Sequence, residues 1–212
     1  MEAVRRLPRL YLITDGSASS GEAFLEKIEA ALRGGVRIIQ LREKSLSARE
    51  LLEAAKGVRE LTAAFGARLL INDRVDIAML SGADGVHLTS KSYSASFARA
   101  LLGKEGVVGV STHSVIEAKA AEKDGADFIT FGPVFHTPSK AGYGEPLGVA
   151  ELKKAVRALS IPVYGLGGIN MKNAGQVLKA GANAAVISAI MGSPDIEAGA
   201  RELLKESGPD TE

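Results

Sequence analysis

Tyr164-Gly165-Leu166-Gly167-Gly168-Ile169-Asn170 follows an apolar run that begins at Ile161 and opens a helical pattern carrying on to Ala180. Two adjacent glycines at a strand-to-helix turn free the backbone to take positive φ and let its N–H groups come close to an anion. The helix that follows is expected to aim its positive end at the same spot. Further on, the apolar run Ala184-Ala185-Val186-Ile187 ends in Ser188 and leads into another short helical pattern. An isolated Gly-Gly pair serves equally well as a plain tight turn, so the order of the whole chain decides between the two.

Working outward, β-rich runs and helical spacings alternate along the entire sequence. Arg9 to Thr14 reads as a strand closed by Asp15-Gly16-Ser17, and Phe24, Leu25, Ile28, Ala31 and Leu32 recur at helical spacing up to Gly34-Gly35. Val36 to Leu41 is the second strand. Ser47 with Glu50 three positions on forms a capping box for a helix running to about Phe65-Gly66. Strands are then expected at Arg68 to Ile71, Gly85 to Leu88, Val107 to Val110 and Phe128 to Phe131, separated by helices at Val75 to Leu80, Ser94 to Leu102 and Ser114 to Lys123, the last with Glu117 at the capping-box position. Residues 132–148 lack periodicity and are rich in Gly and Pro; a loop of that length in a compact domain is more often functional than idle. A helix from Val149 to about Leu159 precedes the quoted stretch, and another from Asp195 to Lys205 ends the fold, leaving Glu206 to Glu212 as a frayed tail. Gly82-Ala83-Asp84, Gly125-Ala126-Asp127 and Gly181-Ala182-Asn183 form a weak repeat between a helix end and the next strand, where Gly suits the helix C-cap.

Eight short, nearly all-apolar strands alternating with amphipathic helices require a parallel sheet buried on both faces. Eight such units in 212 residues imply a compact, single-domain α/β (β/α)8 TIM barrel. An open doubly wound sheet would carry a glycine-rich fingerprint after its first strand, which Asp15-Gly16-Ser17 is not. In the barrel, the turns at Gly167-Gly168 and Ile187-Ser188 stand after strands seven and eight, where this architecture commonly holds a phosphate.

Composition narrows the function. A formal charge of +1, with 26 basic and 25 acidic residues, offers no electrostatic footprint for nucleic acid or an anionic membrane surface. The absence of cysteine removes disulfides, thiolate metal sites and thiol nucleophiles, so chemistry falls to Lys, His, Asp, hydroxyls and backbone. Arg5, Arg6 and Arg9 near the start lack the apolar core of a signal peptide, and no apolar run approaches a membrane span, so a cytoplasmic protein is expected. Its expected partners are small molecules, with the chain acting alone or as a homo-oligomer.

Residues at the C-terminal ends of barrel strands face the active site. After strand two, Gln40, Arg42 and Lys44 alternate with Leu41 and Glu43, so a strand continuing through them would present three long polar side chains on one side. After strand three come Asn72 and Asp73; Asp73 is a candidate Mg²⁺ ligand, its competing role being the N-cap of the helix starting near Arg74. After strand five come Ser111, Thr112 and His113, the last able to carry protons near neutral pH or to serve as a structural partner. The sixth loop supplies Thr137, Ser139 and Lys140, suited to phosphate oxygens, and His136, read as a loop residue. Two anion zones on opposite sides of one mouth suit the joining of a phosphorylated molecule to a diphosphate ester.

Gln40-Leu41-Arg42-Glu43-Lys44, Ile71-Asn72-Asp73-Arg74-Val75-Asp76, Gly82 through Leu88, Gly109-Val110-Ser111-Thr112-His113, Gly132-Pro133-Val134-Phe135 through Lys140, Gly167-Gly168-Ile169 and Val186-Ile187-Ser188 together resemble, in register from about Tyr11 to Ile190, the motifs of the thiamin phosphate synthase family. The resemblance implies a TIM barrel that couples a hydroxymethylpyrimidine diphosphate to a thiazole phosphate through a pyrimidinylmethyl cation, with release of pyrophosphate. It implies that Arg42, Lys44, Asn72 and Lys140 hold the pyrophosphate, that Asp73 binds Mg²⁺, and that Gln40 and Ser111 lie near the pyrimidine. Thr137, Ser139, Gly167, Gly168, Ile187 and Ser188 match the thiazole phosphate zone. The family usually places a second Mg²⁺-binding Asp shortly after His87-Leu88, where this chain reads Thr89-Ser90-Lys91-Ser92, with Ser92 at the acid's position and Lys91 adding a charge. That departure keeps a second branch in view, the thiazole tautomerases, which move a proton without diphosphate or metal and for which His113 would be the carrier. A third alternative is a non-catalytic binder of thiamin precursors.

Overall fold

A computed structural model describes residues 7–17, 21–137 and 145–207. Eight parallel strands alternate with helices in the order β1 (Leu10–Ile13), α1 (Glu22–Arg33), β2 (Ile38–Leu41), α2 (Ala48–Ala64), β3 (Arg68–Asn72), α3 (Val75–Ser81), β4 (Gly85–Leu88) and α4 (Ala95–Leu102). The second half continues with β5 (Val107–Thr112), α5 (Val115–Lys123), β6 (Phe128–Phe131), α6 (Gly148–Ala158), β7 (Val163–Leu166), α7 (Ala174–Lys179), β8 (Asn183–Val186), α8 (Ser188–Met191) and α9 (Ile196–Ser207). The strands close into a barrel in sequence order, with β8 pairing β1 through Leu10↔Ala184 and Leu12↔Val186. The (β/α)8 expectation is met.

Alternation along each strand divides the core in two. Leu10, Leu12, Ile39, Leu41, Leu69 and Ile71 belong to the larger apolar layer shared with the helices. The intervening residues, among them Tyr11, Ile38, Leu70, Phe128 and Tyr164, form a second cluster inside the barrel. Tyr11, Phe128 and Tyr164 pack edge-to-face in a triangle, with centroids 5.4, 5.6 and 5.3 Å apart. Such pairs contribute about 0.5–1.5 kcal/mol each beyond the area they bury. This plug makes the barrel a packed core below and leaves polar side chains at its upper rim.

Local signals match the elements closely, with informative exceptions. Ser47 and Glu50 form the reciprocal capping box on α2. On α5, Ser114 accepts from the Glu117 N–H, but the Glu117 carboxylate reaches past the cap to the His113 N–H at 2.7 Å. Strand β2 ends at Leu41 and Lys44 lies in an exposed turn, so Gln40, Arg42 and Lys44 do not continue one strand as expected. Conversely β5 runs two residues further, taking in Ser111 and Thr112. The helix expected straight after Gly167-Gly168 begins only at Ala174, because Asn170 and Asn173 build a turn first: the Asn170 N–H donates to Asn173 Oδ1 at 2.8 Å and the Lys172 N–H to Asn170 Oδ1 at 2.9 Å. At the C-terminal end, Glu206 is helical in α9 rather than frayed.

Candidate active site

The floor of the mouth is a hydrogen-bonded chain of buried polar side chains. Gln40, 2% exposed on β2, donates from Nε2 to the Tyr11 hydroxyl at 2.8 Å. That hydroxyl lies 3.3 Å from Nδ1 of His87, whose Nε2 is 2.9 Å from Ser111 Oγ and 3.4 Å from Thr130 Oγ1. With the Tyr11 oxygen accepting from Gln40, its proton is free for His87 Nδ1, and a neutral ring completes the chain by donating from Nε2–H to Ser111. Burial drives the His87 pKa down to about 3, with Asp73 pulling it upward and Arg42 reinforcing the fall. Burial likewise raises the Tyr11 phenol well above its usual range, opposed by the Gln40 hydrogen bond. The floor is therefore neutral.

Those influences also place Arg42 and Asp73 within electrostatic reach of His87. Asp73 follows β3 with φ 60, a left-handed conformation rare outside glycine. It is not the helix cap considered above, since Arg74 occupies the N-cap of α3 and no side chain caps that end. The Asp73 carboxylate instead accepts from the Thr89 N–H at 3.2 Å, the Thr89 hydroxyl at 3.3 Å, Asn72 Nδ2 at 3.2 Å and the Ser92 hydroxyl. Ser92, at the position of the expected second acid, thus touches Asp73 directly, while Lys91 is exposed. Among the described residues no group of three or more His, Cys, Asp or Glu side chains is placed to hold a metal. One carboxylate flanked by the hydroxyl oxygens of Thr89 and Ser92 offers hard oxygen donors, compatible with a Mg²⁺ that completes its shell from water and substrate phosphate.

Across the mouth, the start of the sixth loop is laced onto the end of β7. The Val134 N–H donates to the Leu166 carbonyl at 2.9 Å and the Phe135 N–H to that of Gly167 at 3.0 Å. The chain returns through Leu147 and Gly148, whose N–H groups bond to the Pro133 and Val134 carbonyls at 2.8 and 3.1 Å. Gly167 and Gly168 have φ 101 and 66, and a Cβ on Gly168 would sit 2.5 Å from the His136 carbonyl oxygen, so both conformation and closeness demand glycine. Asn173 and Asn170 donate from Nδ2 to the Gly168 carbonyl at 2.9 and 3.3 Å. Ile187 forms the N-cap of α8 and Ser188 its first residue. Thr137 is half-buried at the end of the described part of the loop; Ser139 and Lys140 lie outside the described residues. His113 is exposed and fixed by Nδ1 against the Gly132 carbonyl at 2.6 Å, which leaves Nε2 as the basic atom of the neutral ring.

The strands thus gather Gln40, Ser111, Asn72 and Asp73 at one rim, with Arg42 within electrostatic reach. Sequence reasoning missed Tyr11, His87 and Thr130, and also Thr14 and Glu43, which are hydrogen-bonded to each other at 2.6 Å. The available signal was a hydroxyl or imidazole inside an otherwise apolar strand, as in Gly85-Val86-His87-Leu88.

A family model described as thiamine monophosphate synthase matches residues 10–190. The chain is 54% identical over 203 residues to a putative thiamine-phosphate synthase of Geobacter sulfurreducens, covering 95% of each chain. It is 45% identical over 195 residues to the thiamine-phosphate synthase of Moorella thermoacetica, covering 92% of this chain and 93% of that one. A solved structure, the thiamine phosphate pyrophosphorylase from Pyrococcus furiosus, superposes with a TM-score of 0.84 at 38% identity over 93% of this chain and 94% of that chain.

Proposed function

Because the chain belongs to the thiamine monophosphate synthase family, we propose that it couples hydroxymethylpyrimidine diphosphate to thiazole phosphate, forming thiamin phosphate and releasing pyrophosphate. The observation that carries this reading is the extent of the match, from residue 10 to 190, which takes in all eight strands and every strand end that builds the mouth. The chemistry asks for three things: stabilisation of a departing pyrophosphate, shelter for a pyrimidinylmethyl cation, and alignment of the thiazole nitrogen that captures it.

The residues present fit each demand. Arg42, Lys44, Asn72 and Lys140 hold the pyrophosphate as the C–O bond breaks, each contact strengthening as charge builds on the leaving group. Asp73, with the neighbouring hydroxyl oxygen of Ser92, is the protein's ligand set for Mg²⁺, which when bound neutralises part of the diphosphate charge. Gln40 and Ser111 orient the pyrimidine above the neutral floor. Because His87 is uncharged and hydrogen-bonded through both ring nitrogens, it offers the cation neither a competing nucleophile nor a repelling charge. Thr137, Ser139, Gly167, Gly168, Ile187 and Ser188 take the thiazole phosphate on the opposite side. Among the described residues no helix is long and apolar enough to cross a membrane, in keeping with an enzyme that works in the cytoplasm on phosphorylated small molecules.

The test is pyrophosphate release from the two substrates with Mg²⁺, run beside conversion of the non-aromatic thiazole tautomer without metal. Coupling well above background is expected, and Lys140→Ala or Asp73→Ala should each remove most of it, on the order of 100-fold or more in kcat. Isomerisation without coupling, abolished by His113→Ala and unaffected by Asp73→Ala, would replace this reading with a tautomerase. Melting stabilisation by both phosphates without turnover would reduce the protein to a binder.

A further inference from the structure

Glu43 is an unexpected neighbour for an anion site. It lies between Arg42 and Lys44 in sequence, only 5% exposed, and a carboxylate facing a diphosphate would repel it. The structure engages it with β1 instead. Thr14, fully buried just past that strand, donates from Oγ1 to Glu43 Oε1 at 2.6 Å, and the same hydroxyl accepts the Arg42 N–H at 2.9 Å. The Thr14 N–H donates to the Gln40 carbonyl at 3.0 Å. One residue therefore makes three bonds to the segment 40–43, beyond the last β1–β2 register pair, Ile13↔Gln40. Since β2 itself stops at Leu41, Arg42 has no strand ladder to fix its backbone, and Thr14 supplies the missing anchor.

We propose that Thr14 and Glu43 are positioning residues that clamp the end of β1 to the segment carrying Arg42 and Lys44, and so set the geometry with which those two cations meet the diphosphate. The inference rests on the assignment of Arg42 and Lys44 to the diphosphate. A hydroxyl held between an amide donor and a carboxylate acceptor has its single proton and a lone pair both committed, which defines the distance between the two chain segments more tightly than either bond alone.

The experiment compares Thr14→Val, which keeps shape and removes the hydroxyl, with Thr14→Ser, which keeps the hydroxyl, and adds Glu43→Gln in case the valine variant folds poorly. Each is assayed for the KM of both substrates and for the affinity of inorganic pyrophosphate in the presence of Mg²⁺. Thr14→Val should weaken pyrophosphate and raise the KM of the pyrimidine diphosphate about tenfold, with the KM of the thiazole phosphate unchanged. Thr14→Ser should behave as wild type, and Glu43→Gln should show a smaller effect confined to the same substrate. Unchanged pyrophosphate affinity in Thr14→Val and Glu43→Gln would overturn the clamp, as would a parallel loss for both substrates that serine fails to rescue. A wild-type protein that turns over no diphosphate substrate would instead sink the synthase reading and take this inference with it.

Discussion

His87 is 2% exposed and hydrogen-bonded at both ring nitrogens, and this couples the fold to pH. Its pKa of about 3 lies below the ordinary imidazole value of 6.5, so below pH 6.5 the unfolded chain takes up a proton that the folded one refuses. Stability is complete above that pH and declines as pH falls from 6.5 towards 3, by up to about 4 kcal/mol. Urea midpoints measured between pH 7 and 4 should drop steeply in the wild type and less so in His87→Gln; parallel slopes would mean that the imidazole is not held neutral. A second prediction concerns Ser92, whose hydroxyl donates to Asp73. Ser92→Asp sets a second carboxylate beside the first and should lower the Mg²⁺ concentration that half-saturates coupling by about tenfold. An unaltered Mg²⁺ dependence would show that the serine position is not part of the metal's surroundings.

The weak repeat that marked the helix-to-strand joints acquires a physical meaning at the level of the elements. Asp84 accepts from the Leu69 N–H of β3 at 2.8 Å and pairs with Arg59 of α2 at 2.9 Å. Asp127 does the same two units later, with the Val108 N–H of β5 at 2.7 Å and Arg99 of α4 at 2.5 Å. Each carboxylate pins a helix to the strand after it from the base of the next strand. Asp127→Ala should cost about 2 kcal/mol, because it leaves a strand N–H without its acceptor and a half-buried guanidinium without its carboxylate; a melting temperature within a degree of wild type would contradict the pin. The strands and helices were legible because apolar runs and capping residues are local, and the bounds of β4 and β6 follow from them directly. Where the last residues of a strand become polar, as at Ser111 on the inner face and Thr112 on the outer, the apolar run stops before the strand does. The late start of α7 reflects side-chain turns at Asn170 and Asn173 that compete with helix. Arg42, Asn72, Asp73 and Ser111 could be read as rim residues, since strand ends locate them. The chain from Gln40 through Tyr11 to His87 could not, because it joins β1, β2 and β4 through the barrel's interior, and a strand buried on both faces carries no alternation to reveal which side chains point inward.

At the scale of the whole molecule, the plug of Tyr11, Phe128 and Tyr164 draws on β1, β6 and β7 and spaces the strands beneath the mouth. Gly109 gives that plug room, since a Cβ there would lie 2.3 Å from the Phe128 ring and 2.6 Å from His87 Nδ1. Gly109→Ala should therefore disturb packing and site together, lowering the melting temperature and slowing coupling in the same variant; a loss of either alone would separate the floor from the plug. The closure of the ring has a further consequence. Leu10 pairs with Ala184, so β1, made before the other strands of the barrel, waits for the last of them before its free edge is covered. A nascent chain is then an open, edge-exposed sheet through most of its synthesis. Chains stalled before residue 183 should be captured by chaperones and cut readily by protease, and chains released with β8 complete should become resistant in one step.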